Sequence, residues 1–128
     1  MYHIDAMSRV PVYEQIVEQT EKFILAGILK PGDKIPSVRN LSIELSVNPN
    51  TIQKSIVELD RRGLILSVPG KGCYVAEEAR TALSAVKRKK MAEIKDEIKE
   101  LALAGVTKEE LLELIEEVFT KKEGQNND

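Results

Sequence analysis

The sequence predicts a mainly α fold with a small β-hairpin, and three observations carry that reading. Apolar residues recur at three- and four-residue steps through most of the chain. Four of the five prolines fall within residues 11–49, and none follows Pro69, as long helices require. Two short β-prone runs flank the turn Pro69-Gly70-Lys71-Gly72, the pattern of a hairpin. The 128 residues allow one domain, or a small domain with an appendage, and exclude a large α/β barrel or a two-domain dehydrogenase. With no tryptophan and 4% aromatic residues, the core must be built from Leu, Ile, Val and Ala. A chain of this size buries only about two thirds of its unfolded surface, so self-association would help it.

Each element has a local cause. Helix one should begin near Pro11, with Tyr13, Ile16, Val17, Thr20, Phe23 and Ile24 as its inward stripe, and end by Gly27. Lys30-Pro31-Gly32-Asp33 is a turn, Pro36 keeps the next stretch extended, and Ser37 caps a short helix over Val38–Leu45. After the tight Ser46-Val47 connection, Asn48 caps helix three, with Pro49 in its favoured first position. Ile52, Ile56 and Leu59 face inward, and Gly63 closes the helix. Leu64 to Val68 and Cys73 to Ala76 form the hairpin. From about Glu78 the pattern is helical to the end, broken once at Gly105. Met91, Ile94, Ile98 and Leu101 step like a coiled-coil seam. Thr107 and Glu110 open the last helix as a capping box, and Leu111, Leu112, Leu114, Ile115, Val118 and Phe119 give it a wide apolar face.

Charge and composition narrow the function. Net charge is −2, which argues for no particular partner; residues 1–76 carry nine basic and eight acidic side chains, residues 77–128 ten and thirteen. One cysteine, Cys73, cannot form an internal disulfide and fits a reducing compartment. The one histidine, His3, falls at an expected frayed terminus, and a zinc site would need several ligands at set spacings. No metal and no cofactor is expected. No apolar run approaches the roughly 18 residues of a membrane span, and no signal-peptide segment is visible, so a cytoplasmic protein away from the membrane is expected. Paired acids such as Glu109-Glu110 and Glu116-Glu117 are exposed neighbours rather than facing groups, and no phosphate loop or nucleophile elbow appears. The chain does not read as an enzyme.

Helix, helix, tight turn, helix and hairpin is the order of a winged helix-turn-helix. A free helix N-terminus offers N–H groups and a positive dipole end to phosphate. At the start of helix three stand Asn48, Asn50, Thr51, Gln53 and Lys54; Asn and Gln can pair bidentately with adenine, while Thr and Lys more often take phosphate. Asn48 could equally be only a cap. At the hairpin tip Gly70 and Gly72 admit close backbone approach and Lys71 reaches phosphate or the minor groove. Lys87-Arg88-Lys89-Lys90 points all around a helix and reads as a solvated face. Arg61 and Arg62 complement the dipole at the end of helix three.

The residues Pro11-Val12-Tyr13-Glu14-Gln15-Ile16, Lys30-Pro31-Gly32-Asp33-Lys34-Ile35-Pro36-Ser37-Val38-Arg39, Asn48-Pro49-Asn50-Thr51-Ile52 and Gly70-Lys71-Gly72-Cys73-Tyr74-Val75 resemble the N-terminal domain of GntR-type transcription regulators. The remaining 52 residues are too few for the usual ligand-binding domains of that family and resemble the short YtrA-type subfamily, whose appendage serves dimerisation. The resemblance implies Ser37 and Arg39 at the DNA backbone, Asn48, Asn50, Thr51, Gln53 and Lys54 on the recognition helix, and Gly70, Lys71 and Gly72 in the wing. For Arg39 the alternative is a salt bridge to a carboxylate such as Glu44. Many relatives have arginines where this chain has Pro49 and Gln53, which favours A·T over G-centred contacts.

The sequence is therefore expected to hold a winged DNA-binding domain over residues 1–76, a two-helix dimerisation segment over 77–122 and a disordered tail over 123–128. Met91, Ile94, Ile98, Leu101, Leu111, Leu112, Ile115, Val118 and Phe119 would pair two subunits. The expected function is a homodimeric repressor on a palindromic double-stranded operator, with room for an unidentified small effector. The alternative from another class is a protein-interaction module, which would carry exposed apolar anchors near Asn50 and Gln53.

Overall fold

The computed structural model describes the backbone of residues 1–126 and the side chains of residues 1–120. In chain order it contains α1 (Val12–Leu25), β1 (Lys34–Ile35), α2 (Val38–Leu45), α3 (Pro49–Arg61), β2 (Ile65–Val68), β3 (Gly72–Val75), α4 (Ala79–Arg88), α5 (Met91–Leu103) and α6 (Lys108–Asn126). These fall into two compact units, Met1–Lys87 and Arg88–Asp128. The expected tail, residues 123–128, lies outside the residues whose side chains are described.

The first unit packs its helices around a small antiparallel sheet of order β1-β3-β2. The hairpin is present as expected, in the register Ile65↔Val75 through Val68↔Gly72. The third strand is not legible in the sequence: two residues long, β1 exists because Lys34 and Ile35 pair with Tyr74 and Cys73 of the wing. Val17, Ile24, Ile35, Ile56, Leu59, Leu64, Ile65, Val75, Ala79 and Leu83 form one buried cluster, and Tyr2, Ile16, Leu41 and Ile52 a second. Phe23 and Val38 pack against both, so α1 and α2 join the two clusters.

Two expectations need correction. The terminus at His3 is not frayed: Tyr2 is buried, its hydroxyl 2.7 Å from Thr20 Oγ1 and its ring edge-on to Phe23. Burial raises the Tyr2 pKa, against a smaller opposing effect of the Thr20 hydrogen bond. Gln19 brackets His3, accepting from its N–H and donating to its carbonyl, and Gln15 does the same for Asp5 one helical turn earlier. The second correction lies after the wing. Helix from Glu78 is interrupted at Lys89 and Lys90 as well as at Gly105, so α4 and α5 are separate. No glycine or proline marks this break. It falls where α4, anchored in the first core by Ala79 and Leu83, gives way to a helix with no buried residue.

In the second unit, α5 and α6 are joined through Gly105 at φ +96°, and the N–H of Glu110 donates to Thr107 Oγ1, one half of the anticipated capping box. The seam residues of α5 lie open, from 37% exposed at Ile98 to 68% at Met91, with Ile94 and Leu101 between. On α6 Leu112, Ile115, Val118 and Phe119 are exposed and Leu111 is half-buried.

Candidate nucleic-acid interface

The turn between α2 and α3 is built by local hydrogen bonds. Ser37 caps α2, accepting from Asn40 N–H at 3.1 Å, and Leu41 anchors the helix in the core. Ser46 ends α2 in the left-handed region at φ 54°, which turns the chain sharply. Ser42 Oγ donates to the Val47 carbonyl at 2.6 Å and fixes the exit. Asn48 Oδ1 then accepts from Asn50 N–H at 2.8 Å and caps α3, with Pro49 in the first turn.

Burial of Ile52, Ser55, Ile56 and Leu59 fixes which side of α3 faces out. Asn50, Gln53, Lys54 and Val57 are exposed and lie at helical spacing on the other side, with Thr51 half-buried. The N-terminal end of α3 is solvent-facing, so its positive dipole end is open to an anion, although Pro49 has no N–H and Asn48 already takes the N–H groups of Asn50, Thr51 and Ile52. Arg39 is exposed and makes no ion pair among the described residues, so the alternative pairing with Glu44 does not form.

The wing is a tight reversal in which Lys71 N–H donates to the Val68 carbonyl at 2.9 Å. Gly72 sits at φ +118°, a conformation that L side chains rarely adopt, and a Cβ there would also press on the flexible end of Lys34, whose Cε lies 3.0 Å away. A groove of about 490 Å³ lies between this tip and the start of α2; Lys34, Pro36, Ser37, Ser67, Gly70, Lys71 and Gly72 are among its lining residues. The fold thus brings Ser37 and the wing glycines and lysine, 33 or more residues apart in sequence, to the walls of one groove and adds Lys34 to them.

Three features escaped the sequence. Lys54 does not extend freely from α3: its Nζ lies 4.0 Å from the centre of the Tyr13 ring, a cation–π contact joining α3 to the first turn of α1. The Tyr13 hydroxyl donates to Glu14 Oε1 at 3.3 Å, and the Glu14 charge raises the Tyr13 pKa. Arg62 does more than complement a dipole. It donates to Glu58 and, 41 residues away in sequence, to Glu21 on α1, both at 2.9 Å. Hydrogen bonds from Arg61 and then Arg62 hold the Glu58 carboxyl down at about 2. These pairings tie the C-terminal end of α3 to α1, as Lys54 ties its middle. Third, Val57 adds an aliphatic side chain to the exposed side of α3; its spacing of seven from Asn50 was the signal available.

Residues 12–75 match the family model described as bacterial regulatory proteins, gntR family. The chain belongs to that family. It is 44% identical over its full length, and that of its relative, to the HTH-type transcriptional repressor YtrA of Bacillus subtilis (strain 168). It is similar to a GntR family transcriptional regulator from Listeria monocytogenes, with a TM-score of 0.71 and 33% identity over 89% of this chain and 98% of the other. Over 59% of this chain and 93% of the other it resembles AraR(DBD), solved in complex with operator ORE1, with a TM-score of 0.51 and 33% identity. Relatives of this gntR-family chain are thus regulators rather than enzymes. Among the described residues no helix is long and apolar enough to cross a membrane.

Proposed function

We propose that this chain is a cytoplasmic, homodimeric repressor that binds a palindromic double-stranded operator, with residues 1–76 on the DNA and residues 77–122 pairing the subunits. The observation that carries the reading is the solvent-facing end of α3, where a capped helix N-terminus presents Asn50 and Gln53 away from the buried Ile52, Ser55 and Ile56. In this reading Asn50 and Gln53 reach base edges in the major groove. Ser37, Arg39, Asn48 and Thr51 hold the backbone, and Gly70, Lys71 and Gly72 bring the wing to a flanking phosphate. Lys54 must leave the Tyr13 ring to reach the duplex and so contributes less than its charge suggests.

The operator complex of AraR(DBD) and the repressor function named for YtrA support the choice of DNA as partner and repression as outcome. The exposed row Met91, Ile94, Ile98 and Leu101, with Leu112, Ile115, Val118 and Phe119 on α6, supports pairing, since a lone chain leaves these side chains in water. With a near-neutral winged domain, affinity rests on local phosphate contacts and should fall steeply with salt.

A titration tests this reading. An inverted-repeat duplex carrying the sequence upstream of the chain's own operon is expected to bind far more tightly than a duplex of one half-site. Arg39→Ala should weaken binding and flatten its dependence on salt. Equal binding of half-site and full site would overturn the dimer, and binding indifferent to Arg39 would overturn the assigned surface.

A further inference from the structure

On the first unit, a cleft of about 390 Å³ opens between the end of α1, the loop after it, β3 and the first turn of α4. Its aliphatic lining comes from Ile24, Leu29, Pro31, Val75 and Ala79, and its polar lining side chains are two cations, Lys30 and Arg80. Neither cation makes an ion pair among the described residues, and both are exposed. Asp33, the acid nearest Lys30 in sequence, spends a carboxylate oxygen on the Lys30 backbone N–H at 2.8 Å. Glu77 and Glu78, which precede α4, are exposed and do not line the cleft.

We propose that this cleft binds a small aliphatic carboxylate, its chain along Pro31 and the rim at Leu29, above the buried Val75 and Ala79, and its carboxylate between Lys30 and Arg80. The chemistry of the walls selects the ligand class. Among the described residues that line it there is no aromatic side chain on which a base or ring could stack, and no side-chain amide, hydroxyl or carboxylate to recognise a sugar or a cation. An aliphatic body with one anionic end matches the apolar floor and the two cations at the mouth. A guanidinium can take a carboxylate with two parallel hydrogen bonds, and the ammonium of Lys30 adds a second charge from a different element. The cleft volume lies within the range of small-molecule sites.

Octanoate is the probe, titrated into the full chain without DNA while backbone amide shifts are followed by NMR. Saturable shifts centred on Leu29, Val75, Ala79 and Arg80 are expected, with at least tenfold weaker binding in Arg80→Gln and in Lys30→Gln. Both substitutions are at exposed positions, so the fold is retained and checked by the same spectra. Octanol and inorganic phosphate, each carrying one half of the ligand, should bind far more weakly than octanoate. Three results would overturn the site: no saturable shift, affinity unchanged in both variants, or shifts confined to the apolar faces of α5 and α6. Because no duplex is present, the outcome is independent of the DNA reading.

Discussion

Glu58 holds the two arginines at the end of α3, one of which ties that end to α1. It accepts from Arg61 and Arg62, while Arg62 also reaches Glu21 on α1. A carboxyl held below its unfolded value adds stability above the unfolded pKa and loses it as pH falls through the folded one. For Glu58 that window runs from its ordinary 4.5 down to about 2. The stability advantage of the native chain over Glu58→Gln should therefore be full above pH 4.5 and shrink toward pH 2, as read by urea unfolding across that range. An advantage independent of pH would mean that the ion pairs do not set the Glu58 charge. The residue scale was also the least legible in the sequence. Asn48, Ser37 and Pro49 could be placed because capping is local, acting over two or three residues. Arg62–Glu21, Lys54 on Tyr13 and Tyr2–Thr20 join residues 18 to 41 apart, and no spacing rule reaches that far.

At the scale of elements, local signals served well wherever an element carries its own cause. The bounds Val38–Leu45 and the hairpin around residues 69–72 follow from caps, prolines and glycines and agree with the fold. Elements that exist only through a neighbour were missed: β1 is held by β3, and the division between α4 and α5 follows the loss of core contact beyond Leu83. The turn after α2 offers a clean check. Ser46 occupies the left-handed region at φ 54°, which costs an L side chain roughly 1 kcal/mol that glycine escapes. Ser46→Gly is expected to raise stability by about that amount, a few degrees in Tm, with DNA affinity unchanged because Asn48 and Ser42 still fix the geometry. A lower Tm would mean that the Ser46 side chain contributes more than its backbone strain removes.

The whole molecule divides into a unit with a complete core and a unit whose side chains find little cover. In the first, Leu41 and Ile52 are fully buried; in the second, α5 buries nothing. The apolar steps of α5 and α6 were readable from periodicity alone, but periodicity cannot say what covers a face. Under the proposed function a second copy of the chain covers it, which places the mass in solution at twice 14.3 kDa. Leu101→Glu combined with Ile115→Glu should bring sedimentation equilibrium down to the single-chain mass and reduce operator affinity at least tenfold, leaving the fold of the first unit intact by NMR. A single-chain mass for the unaltered protein at micromolar concentration would rule out the dimer.

The most direct measurement of the DNA-binding surface is selection from a pool of random duplexes, with the native chain and the Arg39→Ala, Asn50→Ala double variant run side by side. The native chain is expected to enrich an inverted repeat with half-site centres about one helical turn apart and A·T pairs within each half, and the double variant to lose it. Enrichment that survives in the double variant, or a consensus confined to G·C pairs, would contradict the surface assigned to α3.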